Sequence, residues 1–432
     1  MSVEGWQIDT APRRLAVPSS FSAVRLGEWL VVLVLLVSFY VRSEKGMDQP
    51  TPYDMLMVAT VGLMFLFGLR FPRGLGWPAA LWGLVLIGYG IGAMGALYME
   101  KVQPAMIVSI YLIGSFLFFA SFVYADPVRR LGLIFWAYTA AACLAAALGV
   151  GAYFGIVPNA EMFLVYGRAT GTFNDPNVFG PFLVAPILFL GMKLSTAQRL
   201  RSLWMLLPLG LLVTAVLLSF SRGAWGNLLL SATVFVVLTL ANARSPQQTF
   251  RLVGFAAMMA LLMTIVVAVA LSSPRVSALF EQRASLTQDY DIDPEHGRFE
   301  SQVRAFSMVL EKPLGVGPAQ WAMINNLDTH NVYLHVLVAG GFLSGLAFVA
   351  FVTMSVARGW RAASVPGPQQ GMLIVACAAL VGHFVEGVII DIDSWRHLYL
   401  LLGMVWGAAL AAENRKLDGD SSPARATAET WG

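Results

Sequence analysis

Long apolar stretches broken by short polar connections dominate this chain, and their lengths are those of membrane spans rather than of globular core helices. A bilayer core takes about 17–25 apolar helical residues. Twelve such runs, delimited by Gly, Pro and charged residues, lie near 27–42, 53–71, 77–97, 104–124, 131–156, 176–193, 203–220, 223–241, 251–271, 332–357, 371–390 and 395–412. The pattern predicts an all-α polytopic membrane protein of about twelve transmembrane helices. One longer polar stretch, 272–331, interrupts it.

Composition sharpens that reading. Of 432 residues, 57% are hydrophobic and 12% charged, against about 25% charged in a soluble domain. The net charge of +3 says little, but its distribution orients the chain. With the N-terminus in the cytoplasm, most Lys and Arg fall inside, among them Arg13, Arg14, Arg129, Arg130, Arg358 and Arg361. Every cytoplasmic loop then holds at least two basic residues, so the positive-inside rule predicts both termini in the cytoplasm. The expected organisation is a cytoplasmic arm over 1–26, helices over 27–271, an outer loop over 272–331, helices over 332–412 and a cytoplasmic tail over 413–432. The first apolar run reads as a span rather than a cleaved signal. Cys143 and Cys377 both fall inside apolar runs, which favours neither a disulfide framework nor a thiolate metal site.

Within the outer loop, Asp293-Pro294 resembles an N-cap followed by proline at the first helical position. Phe299, Val303, Phe306 and Leu310 then recur at helical spacing, predicting an amphipathic helix over 294–311 at the membrane surface. Asp289, Asp291, Asp293 and Glu300 imitate a calcium loop, but Pro294 stands where the turn needs glycine, so no metal site is expected.

Candidate chemistry gathers on the outer side. Arg222, in the Ser221-Arg222-Gly223 corner, is placed to clamp a phosphate or to snorkel to lipid headgroups. Arg298 and Arg304 lie on the predicted surface helix, Arg298 near the N-terminal end that favours anions; a solvated face is the plainer alternative. Gly171-Thr172-Phe173-Asn174-Asp175-Pro176-Asn177 opens the sixth span, with Asp175 as N-cap and Asn174 and Asn177 as candidate sugar ligands. His330, followed by Asn331 at the mouth of the tenth span, has an imidazole suited to proton transfer near neutral pH, or serves as an interfacial cap. His383 and Glu386, one turn apart in the eleventh span, are either functional or a mutually satisfied buried pair.

Three of these segments together resemble the O-antigen ligase and polymerase superfamily. They are Gly171-Thr172-Phe173 with Pro176-Asn177; Ser221-Arg222-Gly223; and Arg298 leading to Pro313-Leu314-Gly315-Val316-Gly317 and His330-Asn331. In the ligase pattern a glycine follows nine residues after His-Asn, as Gly341 does here. Ser344 stands where Gly, Thr or Tyr is usual. The resemblance implies a GT-C-like membrane glycosyltransferase of the bacterial inner membrane, working on the periplasmic face. It implies an undecaprenyl-diphosphate-linked glycan as donor, and a lipid A-core or lipid-linked acceptor. Membrane lipids would surround it, with no nucleic-acid partner, metal or other cofactor. By the same resemblance Arg222 and Arg298 hold the diphosphate, His330 is the transfer residue, and Asn174, Asn177, Asn331 and Arg304 are substrate-binding candidates. A lipid-linked glycan transporter is the rival class; it predicts a two-fold repeat and charges lining a path through the bilayer.

Overall fold

The computed structural model describes residues 23–38, 52–197, 200–272, 277 and 297–420. Apolar runs become helices because a chain in hydrocarbon must satisfy every backbone N–H and C=O internally. The helices are α1 (Ala23–Ser38), α2 (Pro52–Leu66), α3 (Gly76–Ala93), α4 (Met99–Ala125), α5 (Pro127–Tyr153), α6 (Pro176–Phe182), α7 (Val184–Thr196), α8 (Leu206–Leu218), α9 (Arg222–Ala241), α10 (Pro246–Leu271), α11 (Arg298–Glu311), α12 (Trp321–Asn325), α13 (Val332–Ala363), α14 (Gln370–Glu386) and α15 (Arg396–Asp420). Among the described residues, six helices are long and apolar enough to cross a membrane, and three shorter apolar helices accompany them.

One start follows the chemistry read from the sequence, and two others are capped by side chains in the same way. Asp175 accepts the Asn177 N–H at 2.7 Å with Pro176 at the first turn of α6. Ser221 caps α9 through the Ala224 N–H, and Asn331 caps α13 through the N–H groups of Tyr333 and Leu334. The core between α3, α13 and α15 is aromatic. Trp82 lies 5.0 Å from Phe351 and 5.8 Å from Tyr399, and the Trp406 indole donates to Ser355 Oγ at 2.9 Å. A tight hairpin, β1 (Leu164–Val165) and β2 (Arg168–Ala169), departs from the all-helical expectation. Its turn residues Tyr166 and Gly167 both have positive φ, as short hairpin turns require.

Three expected elements are revised. The sixth span is two helices, α6 and α7, meeting at Leu183; Pro181 and Pro186 remove donors on either side of the junction. The tenth span is bent at Gly340 and Gly341, where Gly341 has φ 64° and ψ −165°. A Cβ there would meet the Pro313 carbonyl oxygen at 2.2 Å, so only glycine fits. The bend leaves a short arm, 332–339, and a long arm, 342–363. It exposes carbonyls at the end of the short arm, and the Gly315–Gly317 segment supplies their partners. Val316 N–H donates to Val338 O and Gly317 N–H to Ala339 O, each at 2.9 Å. The two glycine-containing motifs of 311–345 are thus halves of one joint.

The surface helix begins at Arg298 rather than 294, with Gly297 at its cap; Asp293 and Pro294 lie outside the described residues. Ala305 and Val309 pack on Val316, Trp321 and Val338. Phe299, Val303, Phe306 and Leu310 remain exposed by 52–62%. An outward apolar stripe on a helix whose other face is packed is the form of a membrane-surface helix.

Candidate functional site

His330 sits in a loop whose backbone is clamped from two sides. Its φ is +48°, in the left-handed region that costs a non-glycine residue about 1–3 kcal/mol unless neighbours enforce it. The Asp391 carboxylate, in the connection between α14 and α15, does so. Oδ2 accepts the His330 N–H at 3.0 Å, and Oδ1 accepts the Asn331 N–H and the Thr329 hydroxyl, both at 2.8 Å. From the other side, Gln302 of α11 donates to the His330 carbonyl at 3.2 Å, and Ser301 Oγ to the Asp328 carbonyl at 3.1 Å. Bonds to an ionised carboxylate are the stronger kind.

The His330 side chain is half-buried. Burial, and then the Arg298 guanidinium, push its pKa below the ordinary 6.5, while Asp391, Asp328 and Asp175 pull the other way. The imidazole is therefore neutral at pH 7, the form that accepts a proton. That field also shows which predicted segments converge on His330: the start of α11 with Arg298, and the start of α6 with Asp175.

Arg222 opens α9 immediately after its Ser221 cap. Two connections tie this corner to the other motifs. Arg168, 8% exposed, donates from Nε to the Ser219 carbonyl and from Nη2 to Asn177 Oδ1, each at 2.8 Å. The hairpin arginine thus fastens the α8–α9 corner to the start of α6. On the other flank, a Cβ on Gly223 would lie 2.7 Å from Glu386 Oε1. The next residue of that chain, Gly387, accepts the Val332 N–H at 2.8 Å, one residue past Asn331. The Ser-Arg-Gly corner, the end of α14 and the His330 loop are therefore consecutive layers of one wall.

The amide oxygens of Asn177 and Asn331 are engaged, by Arg168 and by the α13 N-terminus respectively. Arg304 lies half-buried further along α11, and Asn174 stands beside Asp175. His335 stays apart from His330 and faces Asp393, Nε2 to Oδ2 at 3.6 Å. His383 and Glu386 do not satisfy each other. Glu386 Oε2 accepts from Asn227 Nδ2 at 2.7 Å, Asn227 Oδ1 accepts from Ser231 Oγ at 2.8 Å, and His383 Nδ1 lies 2.7 Å from the Ala379 carbonyl.

Arg168 and Asp391 are two site-building residues whose roles do not show in the sequence. Asp391 had a visible signal, a carboxylate at the end of an apolar run, but its partners are backbone groups about sixty residues earlier. Arg168 gave none beyond being a basic residue in a short polar stretch.

A comparison with curated proteins finds no match. Residues 207–350 match the family model described as O-antigen ligase, a stretch that runs from α8 to the long arm of α13. It contains Arg222, Arg298, His330 and the glycine joint. Over residues 207–350 the chain is thus similar to the O-antigen ligase family, the resemblance that its motifs carry.

Proposed function

We propose that the protein is a periplasmic-face glycosyltransferase of the O-antigen ligase type. It would move a glycan from undecaprenyl diphosphate to a hydroxyl of the lipid A-core acceptor. The observation that carries this reading is the neutral, half-buried His330, held in a strained loop by Asp391 and facing the Arg298 charge, inside the region that matches the family.

The reaction is written as one displacement at the anomeric carbon, with inversion. The bond from that carbon to the diphosphate oxygen breaks as the bond to the acceptor oxygen forms, and the acceptor's proton passes to the His330 imidazole. The leaving diphosphate departs as an anion, so it needs no proton. Arg222 and Arg298 stabilise the charge that grows on it, an effect that is strong where water is scarce. A positioned base contributes typically about 10²–10⁴ in rate. Asn174, Asn177, Asn331 and Arg304 line the approaches as glycan contacts, the two engaged asparagines through their amide N–H groups.

Supporting a membrane location are the six long apolar helices and the outward apolar stripe of α11. The loop charges support a fold with both ends cytoplasmic. A polymerase of the same superfamily would use the same donor site and differ only in acceptor. The test is purified protein in liposomes, supplied with undecaprenyl-diphosphate glycan and either lipid A-core or a second lipid-linked glycan. Transfer to lipid A-core is the expected result. Product only with the second acceptor would make the protein a polymerase, and none with either would reject the enzyme reading.

A further inference from the structure

We infer that Tyr166, at the tip of the β1–β2 hairpin, is a stacking platform for a saccharide ring of the carrier-linked glycan, an assignment that rests on the donor class proposed above. The turn residues Tyr166 and Gly167 have φ of 50° and 72°, as a two-residue type I′ turn requires. Its first central place usually holds asparagine, aspartate or glycine. A tyrosine there is out of the ordinary, because its Cβ crowds the backbone in the left-handed region.

The other non-glycine residues with positive φ among the described residues each have an evident reason for it. Asn159 and Asn326 are of the type that tolerates this conformation, and Ala319 carries only a methyl group. Phe220, 2% exposed, packs its ring near Tyr153 and Trp225, and His330 is the proposed base. Tyr166 differs from all of them. It is 89% exposed, and its side chain makes no ring contact or hydrogen bond with a described residue. The ring gives the fold no contact to offset the strain, which points to a partner outside the chain.

The hairpin holds that ring beside the candidate site. Thr170 N–H donates to the Phe163 carbonyl at 2.9 Å and closes the hairpin's base. The buried Arg168, two residues from Tyr166, fastens the strands to the Ser219 carbonyl and to Asn177. Two residues span at most about 7 Å, and Ser219 precedes Arg222 by three. A glycan that begins at a diphosphate on Arg222 therefore has the ring within reach of its first sugars.

The side chain suits that partner. A pyranose presents a face of C–H groups edged by hydroxyls. The phenol ring covers the C–H face, and its Oη donates to or accepts from the hydroxyls at the edge. Tyrosine offers this area while freezing only two torsions, and a hairpin already fixed by Arg168 adds little ordering cost. An exposed tyrosine at a membrane protein's outer face can also rest among lipid headgroups. Attachment of the hairpin to the polar start of α6 and to the Arg222 corner favours the sugar.

The experiment measures binding by the full chain in nanodiscs of three probes: the carrier-linked glycan isolated from the source cells, undecaprenyl diphosphate without sugar, and lipid A-core. Tyr166→Asn should weaken the first about tenfold and leave the second unchanged. Tyr166→Phe, which keeps the ring, should lose less. Because asparagine suits the turn, Tyr166→Asn should melt no lower than the parent, so that its weaker binding is not unfolding. Leu97→Asn, at an exposed position between α3 and α4, should bind all three probes like the parent. Unchanged binding of the carrier-linked glycan by Tyr166→Asn overturns the assignment, as does a lower melting temperature. An equal loss for the sugar-free carrier would place the ring on lipid headgroups, and a loss confined to lipid A-core would place it on the acceptor; either overturns it too. No binding of either carrier by the parent rejects the donor class itself. A glycan-dependent loss in a protein that transfers nothing upholds the sugar seat and rejects the enzyme reading.

Discussion

Two histidine–carboxylate neighbourhoods lie close together around the end of α14, and they are built in opposite ways. His383 and Glu386 stand on a regular helix, at most 4% exposed; Asn227 donates to Glu386 and a carbonyl one turn back meets His383 Nδ1, while His383 Nε2 is buried with no hydrogen-bond partner among the described residues. His330 sits in a left-handed loop, half-buried, with its backbone held by Asp391 and charges of both signs around its ring. The first arrangement is shut inside the bundle on regular helix, with no opening to an incoming hydroxyl. The second carries local strain and still leaves an imidazole ready to take a proton, which is the form expected of a working site. Placing an ionisable group in a membrane segment is therefore not enough to mark function; what the surrounding structure does with it decides.

The largest expected effect that would break this contrast is on the clamp. Asp391→Ala removes three hydrogen bonds from the 329–331 loop, and misplacing a catalytic group by about 1 Å costs about 10² in rate. Steady-state assays should show the loss in kcat with little change in donor KM, and Asp391→Asn, which keeps one acceptor oxygen, should lose less. A full-rate Asp391→Ala enzyme would show that the strained loop has no part in transfer.

Next in size is the interior network. Asn227→Ala leaves the buried Glu386 carboxyl without its donor, a change worth about 1–3 kcal/mol. Thermal unfolding in detergent should register it, while transfer per folded molecule stays at the parent value. Loss of transfer at unchanged stability would make the interior pair part of the site and erase the contrast.

The smallest effect is a pH shift, read on the transfer that remains once Arg298 no longer supports the diphosphate. The positive Arg298 disfavours the imidazolium, so Arg298→Gln should raise the His330 pKa. A base works only when unprotonated, so transfer should fall off on the acid side at a higher pH than in the parent enzyme. A pH–rate profile checks the sign; an acid limb that stays put or moves lower would place Arg298 away from the reacting base.

The sequence was legible where a physical signal is local. Apolar runs of bilayer length marked every described helix from α1 to α10. Asp175-Pro176 announced a helix start because capping needs only the next two or three N–H groups. The bend of α13 was half visible, since Gly340-Gly341 stood in the run, but the severity of the turn depends on Pro313 and Leu314 pressing against it. Arg168 and Asp391 were illegible as site builders because each acts on groups distant in the chain: Ser219 lies fifty-one residues from Arg168 and Asn331 sixty from Asp391. The surface helix was found by its apolar spacing, yet it starts at Arg298, because the extended Gly297 breaks any continuous helix from 294.

If the contrast is right, His330, and not the neighbouring interior histidine, serves transfer. The most direct measurement compares glycan transfer from undecaprenyl diphosphate by purified His330→Ala and His383→Ala proteins in liposomes, normalised to folded protein. His330→Ala should lose about 10²–10⁴ in rate at near-parent stability, while His383→Ala should keep its rate and lose stability instead. Equal rates for His330→Ala and the parent, or a rate loss confined to His383→Ala, would contradict it.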